Sequence, residues 1–155
     1  HEDARMFVNR DGGPYDLVYL DAFGTDYAPP FHLVTAEAAR RYQALLAPDG
    51  AVIVNAIGPA AGDGGRFIAS LAATFASVFA DVGLYPLGSP EAPQAAQNVM
   101  LVARNRPGPL PEGHSDELRR FLGRRQEAAS LAGGLMLTDE FAPVEWLCAM
   151  TLGDD

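Results

Sequence analysis

The order of apolar segments in this sequence predicts an α/β fold: a mostly parallel sheet with an antiparallel edge strand and helices packed on its faces. Three observations carry that expectation. Four short apolar runs, at 15–21, 51–55, 81–87 and 98–103, have the length and composition of buried strands. The first three are separated by helical patterns, and strands that alternate with helices imply parallel crossovers. Only a loop with Pro86, Pro90 and Pro93 separates the last two, so the fourth strand is free to return antiparallel.

Each element has its own justification. Leu17, Val18, Tyr19 and Leu20 form the first strand, and Asp21 ends it. Thr35 is placed to cap a helix running from Ala36 to about Leu46, with Ala39, Tyr42, Leu45 and Leu46 on one face. Pro48, Asp49 and Gly50 then stop and turn the chain. After the second strand comes a glycine-rich link, Gly58 to Gly65. Phe67, Ile68, Leu71, Phe75, Val78 and Phe79 follow at helical spacing. Arg104 to Gly113 reads as a linker. Ser115 is placed to cap a further helix, with Asp116 and Glu117 in its first turn and an end near Gly133 and Gly134. The tail from Leu137 to Leu147 mixes acids, aromatics and Pro143. The organisation expected is a sheet-bearing part over 1–106 and a helical and extended C-terminal part over 107–155 packed on the same domain.

Composition excludes some classes of function. The net charge is −9, and all eleven basic residues are Arg. That balance argues against a nucleic-acid groove or an anionic membrane surface, both of which need clustered cations. It suits a small cationic substrate, or serves solubility alone. The single cysteine, Cys148, excludes an internal disulfide and makes the cytoplasm the expected compartment. Ser70, Thr74 and Ser77 interrupt the most apolar helical stretch, so no segment reads as a membrane span. His1, His32 and His114 are far apart, and no Cys/His spacing resembles a metal site; no metal is expected. Gly62, Asp63, Gly64 and Gly65 precede a helix but lack the spacing of a dinucleotide or phosphate-loop motif, and read as a connection.

The candidate for chemistry is Asp21. In open α/β sheets, ligands bind outside the carboxyl ends of the parallel strands. A carboxylate at that place, followed by a loop rich in Gly, Pro and aromatic residues, is positioned for chemistry. An isolated strand-end acid also serves simply to close a turn.

The combination of motifs is more specific than any one of them. It consists of Asp3-Ala4-Arg5-x-Phe7, then Tyr15-Asp16-Leu17-Val18-Tyr19-Leu20-Asp21-Ala22-Phe23, then Pro30-x-His32-Leu33-x-Thr35, then Leu46-Ala47-Pro48-Asp49-Gly50-Ala51-Val52-Ile53-Val54-Asn55. The tail Leu137-Thr138-Asp139-Glu140-Phe141-Ala142-Pro143-Val144-Glu145 completes it. This set resembles the polyamine aminopropyltransferases, the spermidine synthases and their relatives, over most of the chain. The resemblance implies the C-terminal half of a Rossmann-like, S-adenosylmethionine-dependent methyltransferase fold. It implies aminopropyl transfer from decarboxylated S-adenosylmethionine, the co-substrate, to a polyamine.

Family roles then fall on particular residues. The resemblance places Asp3, with Ala4, against the adenine of the nucleoside and Asp21 beside the attacking amine. Tyr85 and Gln97 fall roughly where the family places pocket groups, although core or loop packing suits them better, and Asp26 is the further candidate for the amine. Classical members carry a second acid three residues after the catalytic one; here that place is Gly24 and the next acid is Asp26, which puts polyamine specificity in question. The family's glycine-rich loop and ribose-binding acid have no counterpart here, so this chain alone is not expected to hold the nucleoside. The sequence opens at His1 and runs at once into a motif, as a piece of a larger fold would. Three functions stay open: the aminopropyltransferase, another S-adenosylmethionine-dependent methyltransferase, and a non-catalytic remnant serving dimerisation or binding. A sheet edge left open beside the Asp21 strand leads to the expectation of a homo-oligomer, with a small-molecule amine as the other partner.

Overall fold

The computed structural model describes residues 3–10, 12–22, 28–109, 113–128 and 131–152. The elements, in chain order, are α1 (Ala4–Arg10), β1 (Tyr15–Leu20), α2 (Ala36–Leu45), β2 (Leu46–Gly58), α3 (Arg66–Ala76), β3 (Asp81–Pro86), β4 (Gln97–Arg104), α4 (Asp116–Leu122), β5 (Gln126–Glu127) and α5 (Val144–Leu152). One five-stranded sheet runs in the order β1-β2-β4-β3-β5.

The α/β class holds, but the sheet is not mostly parallel. Among the described residues only β1 and β2 pair parallel; β2 with β4, β4 with β3, and β3 with β5 all pair antiparallel. The predicted hairpin forms, with Val82 opposite Ala103 and Leu84 opposite Leu101. Yet β4 is an interior strand rather than an edge. Its second flank takes β2, with Val54 opposite Leu101, so β2 and β3 point the same way without touching. A loop between β3 and β4 dictates an antiparallel return; it does not dictate which strand takes the other flank. At the far end β1 is an edge strand, with β2 as its one partner among the described residues.

The two faces of the sheet differ. Val52, Val54 and Ala56 of β2, Val99, Leu101 and Ala103 of β4, and Val82 and Leu84 of β3 all project to one side, at most 6% exposed. There they meet Ala38, Ala39, Tyr42 and Leu45 of α2 and Phe67, Ile68, Leu71 and Phe75 of α3. Thr35 caps α2 as expected, accepting a hydrogen bond from Ala38 N at 3.2 Å. The opposite face carries Leu17 and Tyr19 of β1, 53% and 52% exposed, and Ile53, half-buried. Further along it, Tyr85 lies under the Phe121 ring of α4, centroids 5.5 Å apart.

Pro48, Asp49 and Gly50 do not end a helix with a turn. β2 begins directly at Leu46, and the segment bulges out between the pairs Tyr15–Leu46 and Leu17–Ala51. Gly50 is required there, because a Cβ would sit 2.7 Å from Tyr15 O. The helix expected from Ser115 to Gly133 is also shorter. Ser115 does cap it, accepting from Leu118 N at 3.1 Å, but α4 stops at Leu122. Gln126 and Glu127 then pair with Leu84 and Gly83. Arg125 explains the change: its guanidinium reaches Asp81, which Arg104 also grips through Nε at 2.8 Å. Arg125 crosses over Gly83, where any Cβ would collide with it.

Ser70 and Thr74 have a use that their place in an apolar helix hides. Their hydroxyls donate to Arg66 O and Ser70 O inside α3 and accept from Leu135 N and Leu137 N, both at 2.9 Å. They fasten the tail to the helix, and Leu137 O then accepts from Ala36 N at 2.9 Å. Beyond the tail, α5, a helix the sequence reading did not assign, buries Val144, Leu147 and Cys148 against the core. Among the described residues no helix is long and apolar enough to cross a membrane.

Candidate functional site

Strands β1, β2 and β3 run in one direction, so Asp21, Asn55 and the β3–β4 loop gather at a single rim of the sheet. The N-terminus of α2 lies at the same rim, because α2 follows the β1 loop and its other end feeds β2. This is where the sequence reading placed ligands.

Asp21 is solvent-exposed and held by two neutral donors from its own sheet. Asn55 Nδ2 donates to one carboxylate oxygen at 3.1 Å, and the Tyr19 hydroxyl donates to the other at 3.4 Å. Asn55, 9% exposed, in turn accepts from Asn98 Nδ2 at 2.9 Å. Desolvation, then the charge of Asp21 and the hydrogen bond to it, raise the pKa of the Tyr19 phenol. The carboxylate is thus fixed in direction, and among the described residues neither of its side-chain partners is a cation. The sequence reading missed Asn55 and Asn98. Asn55 carries the signal that drew attention to Asp21, a polar residue after an apolar run, although β2 itself continues to Gly58.

Asp3 has a local duty. One of its oxygens accepts from Arg5 N at 2.9 Å and Met6 N at 3.2 Å, capping α1. The other lies 3.5 Å from His32 Nε2. Ala4 opens the helix that Asp3 caps. Among the described residues the hydrogen-bond and ion-pair partners of Asp3 and those of Asp21 have no residue in common, although both acids belong to the same rim.

Next to Asp3 stands a brace built from three distant motifs. The Arg5 guanidinium donates to Asp139 at 2.7 Å and to His32 O at 2.7 Å. The Thr35 hydroxyl donates to Asp139 Oδ1 at 2.6 Å, and Asp139 N donates to Glu37 Oε2 at 2.9 Å. The tail motif therefore ties α1, the α2 cap and the C-terminal segment together. Behind it, Tyr42 donates to Leu33 O at 2.9 Å, and burial drives its phenol well above the ordinary tyrosine pKa.

The other candidates separate. Tyr85 is 1% exposed beneath Phe121, and burial raises its pKa. Gln97 spans the β3–β4 loop: its Oε1 accepts from Gly88 N at 2.7 Å. Asp26 lies outside the described residues. The Gly62–Gly65 link forms a 3-10 turn over Asp63–Gly65 with Gly62 at φ +79°, and Arg66 beyond it stacks over Trp146 at 5.4 Å. An open groove of about 750 Å³ lies beside α4, between Leu87, Met100, Leu118 and Phe121. Among the described residues no three His, Cys, Asp or Glu side chains gather as a metal site would require.

No family model and no curated protein matches the sequence. The structure does match a solved one, a probable spermidine synthase from Corynebacterium glutamicum, with a TM-score of 0.59 at 20% identity over 98% of this chain. The fold is spermidine synthase-like. This chain spans 50% of the length of that structure. At this identity the likeness establishes architecture alone.

Proposed function

We propose that this chain forms the amine-side wall of a spermidine synthase-like transferase, with Asp21 as the group that receives the amine. The supporting observation is the state of that carboxylate. It follows a strand at the carboxyl-end rim, exposed, and its two hydrogen bonds among the described residues come from uncharged donors. A protonated amine cannot act as a nucleophile. In the proposed reaction Asp21 holds the ammonium group, takes its proton, and leaves the nitrogen lone pair to attack a sulfonium-activated methylene; the C–S bond breaks and the thioether departs with the electron pair. The co-substrate of that chemistry is decarboxylated S-adenosylmethionine.

On this reading the nucleoside side depends on chain beyond these residues. Asp3 would have to give up its contact with His32 to meet an adenine amino group, whereas its cap on α1 uses the other oxygen. Titration of the chain with putrescine and spermidine, followed by NMR, tests the amine side directly. The Tyr19, Asp21 and Asn55 signals should move together, and Asp21→Asn should abolish the response. Shifts scattered over the acidic surface and unchanged by Asp21→Asn would refute the reading.

A further inference from the structure

Asp21 imposes a direction on the polar chain behind it. An ionised carboxylate only accepts hydrogen bonds, so Asn55 must turn its NH2 group toward Asp21. That leaves the Asn55 carbonyl facing β4, where Asn98 presents its own NH2 at 2.9 Å. The strand register makes this contact available. Asn98 is opposite Ile57, and Asn55 is opposite Met100, so the two amides are diagonal neighbours on one face of the sheet. Asn98 is itself tied to β3, its backbone carbonyl accepting from Leu87 N at 2.9 Å. One polar line therefore crosses β4 and β2 to the residue after β1, from Asn98 through Asn55 to Asp21.

We infer that Asn98 is a positioning residue for Asp21, acting through Asn55: it locks the Asn55 amide in the one orientation that donates to the carboxylate. The value of Asp21 as an amine receptor rests on the reading above, but the orientation is a separate physical claim. Without Asn98, the nearly buried Asn55 carbonyl loses its donor, and leaving such a group unpaired is costly. Asn55 then gains by turning that carbonyl toward solvent or another donor, and its NH2 leaves Asp21. Among the described residues the carboxylate then keeps only the longer Tyr19 contact, and it swings free.

The test needs no turnover. In the 15N-labelled chain the side-chain amide signals of Asn55 and Asn98 are assigned. Asp21→Ala should move the Asn55 amide and, to a smaller extent, that of Asn98. With Asn98→Leu in place, the Asn55 response to Asp21→Ala should be lost while the backbone spectrum remains that of the folded chain. Asn98→Thr serves as a second variant, since its β-branched side chain suits a strand and its hydroxyl lies one bond closer to the backbone. An Asn55 amide indifferent to Asp21, or one whose response survives both Asn98 variants, would overturn the inference. Intact coupling in a chain whose Asp21 ignores every alkylammonium ion would support the positioning role and count against the amine reading.

Discussion

Asp21 and Asp81 lie on the same face of one sheet, at opposite rims, and the protein treats them in opposite ways. Asp81 starts β3 and is clamped between the guanidinium groups of Arg104 and Arg125, with a side chain 12% exposed. Asp21 follows β1, is exposed, and meets a phenol and an amide. The first arrangement consumes the carboxylate's charge in holding the 113–128 segment against β3. The second orients a carboxylate without neutralising it. The comparison teaches that the company an acid keeps separates structural from site acids better than its place on a strand. Asp139 belongs with Asp81: although it sits in the most family-like stretch of the tail, its carboxylate is taken up by Arg5 and Thr35.

The comparison can be broken at several points. The largest effect expected is on chemistry. In any preparation of the protein that performs aminopropyl transfer, Asp21→Asn should lower kcat/KM by on the order of a hundred- to ten-thousandfold, the usual weight of a general base. Near-normal turnover would remove Asp21 from the mechanism. Next comes stability. Asp81→Ala takes the shared acceptor from Arg104 and Arg125, which retain Pro109 O, Gly108 O and Glu127, and should cost about 3 kcal/mol in urea unfolding, the upper end for removing one partner of a charged hydrogen bond. Gly83→Ala should cost about 1–3 kcal/mol by pushing Arg125 off the sheet. The Asn55 and Asn98 signals at the other rim should stay in place. A loss below 0.5 kcal/mol, as for an ordinary surface change, would mean the clamp is loose.

The smallest effect concerns pH. Burial, then Glu145, pushes the Cys148 thiol from 9.0 up to about 12. The unfolded chain therefore loses this proton first as the solution becomes alkaline. Stability linked to Cys148 is complete below about 9 and is lost as pH rises toward about 12. Melting temperatures across that range should fall less steeply in Cys148→Ala than in the native chain. At neutral pH the thiol should react with disulfide reagents only as the chain unfolds. Prompt reaction in the folded chain would show Cys148 to be accessible.

Much of this architecture was legible in local pattern. The four main strands, the Thr35 and Ser115 caps and the place of Asp21 all follow from apolar runs and capping residues. What was hidden depended on partners distant in sequence. The insertion of β4 between β2 and β3 is a choice among strand neighbours that neither strand announces. The early end of α4 follows from Arg125 reaching Asp81, 44 residues back. Ser70 and Thr74 look like flaws in an apolar helix until the tail arrives to use them. Asp3 shows the reverse case: a motif position read as a ligand contact also fits a helix cap, and α1 was too short to show a periodicity that would have revealed it. Asn55 could have been found by asking of β2 what was asked of β1, namely which polar residue follows the apolar run.

The most direct test measures two properties of two variants, melting temperature and putrescine affinity, on the same preparations of Asp21→Asn and Asp81→Asn. The result expected is a crossed pattern: Asp21→Asn melts close to the native chain and loses the amine, while Asp81→Asn melts well below it and, where still folded, keeps the amine. Equal loss of stability in both variants, or amine binding that survives Asp21→Asn, would contradict the account.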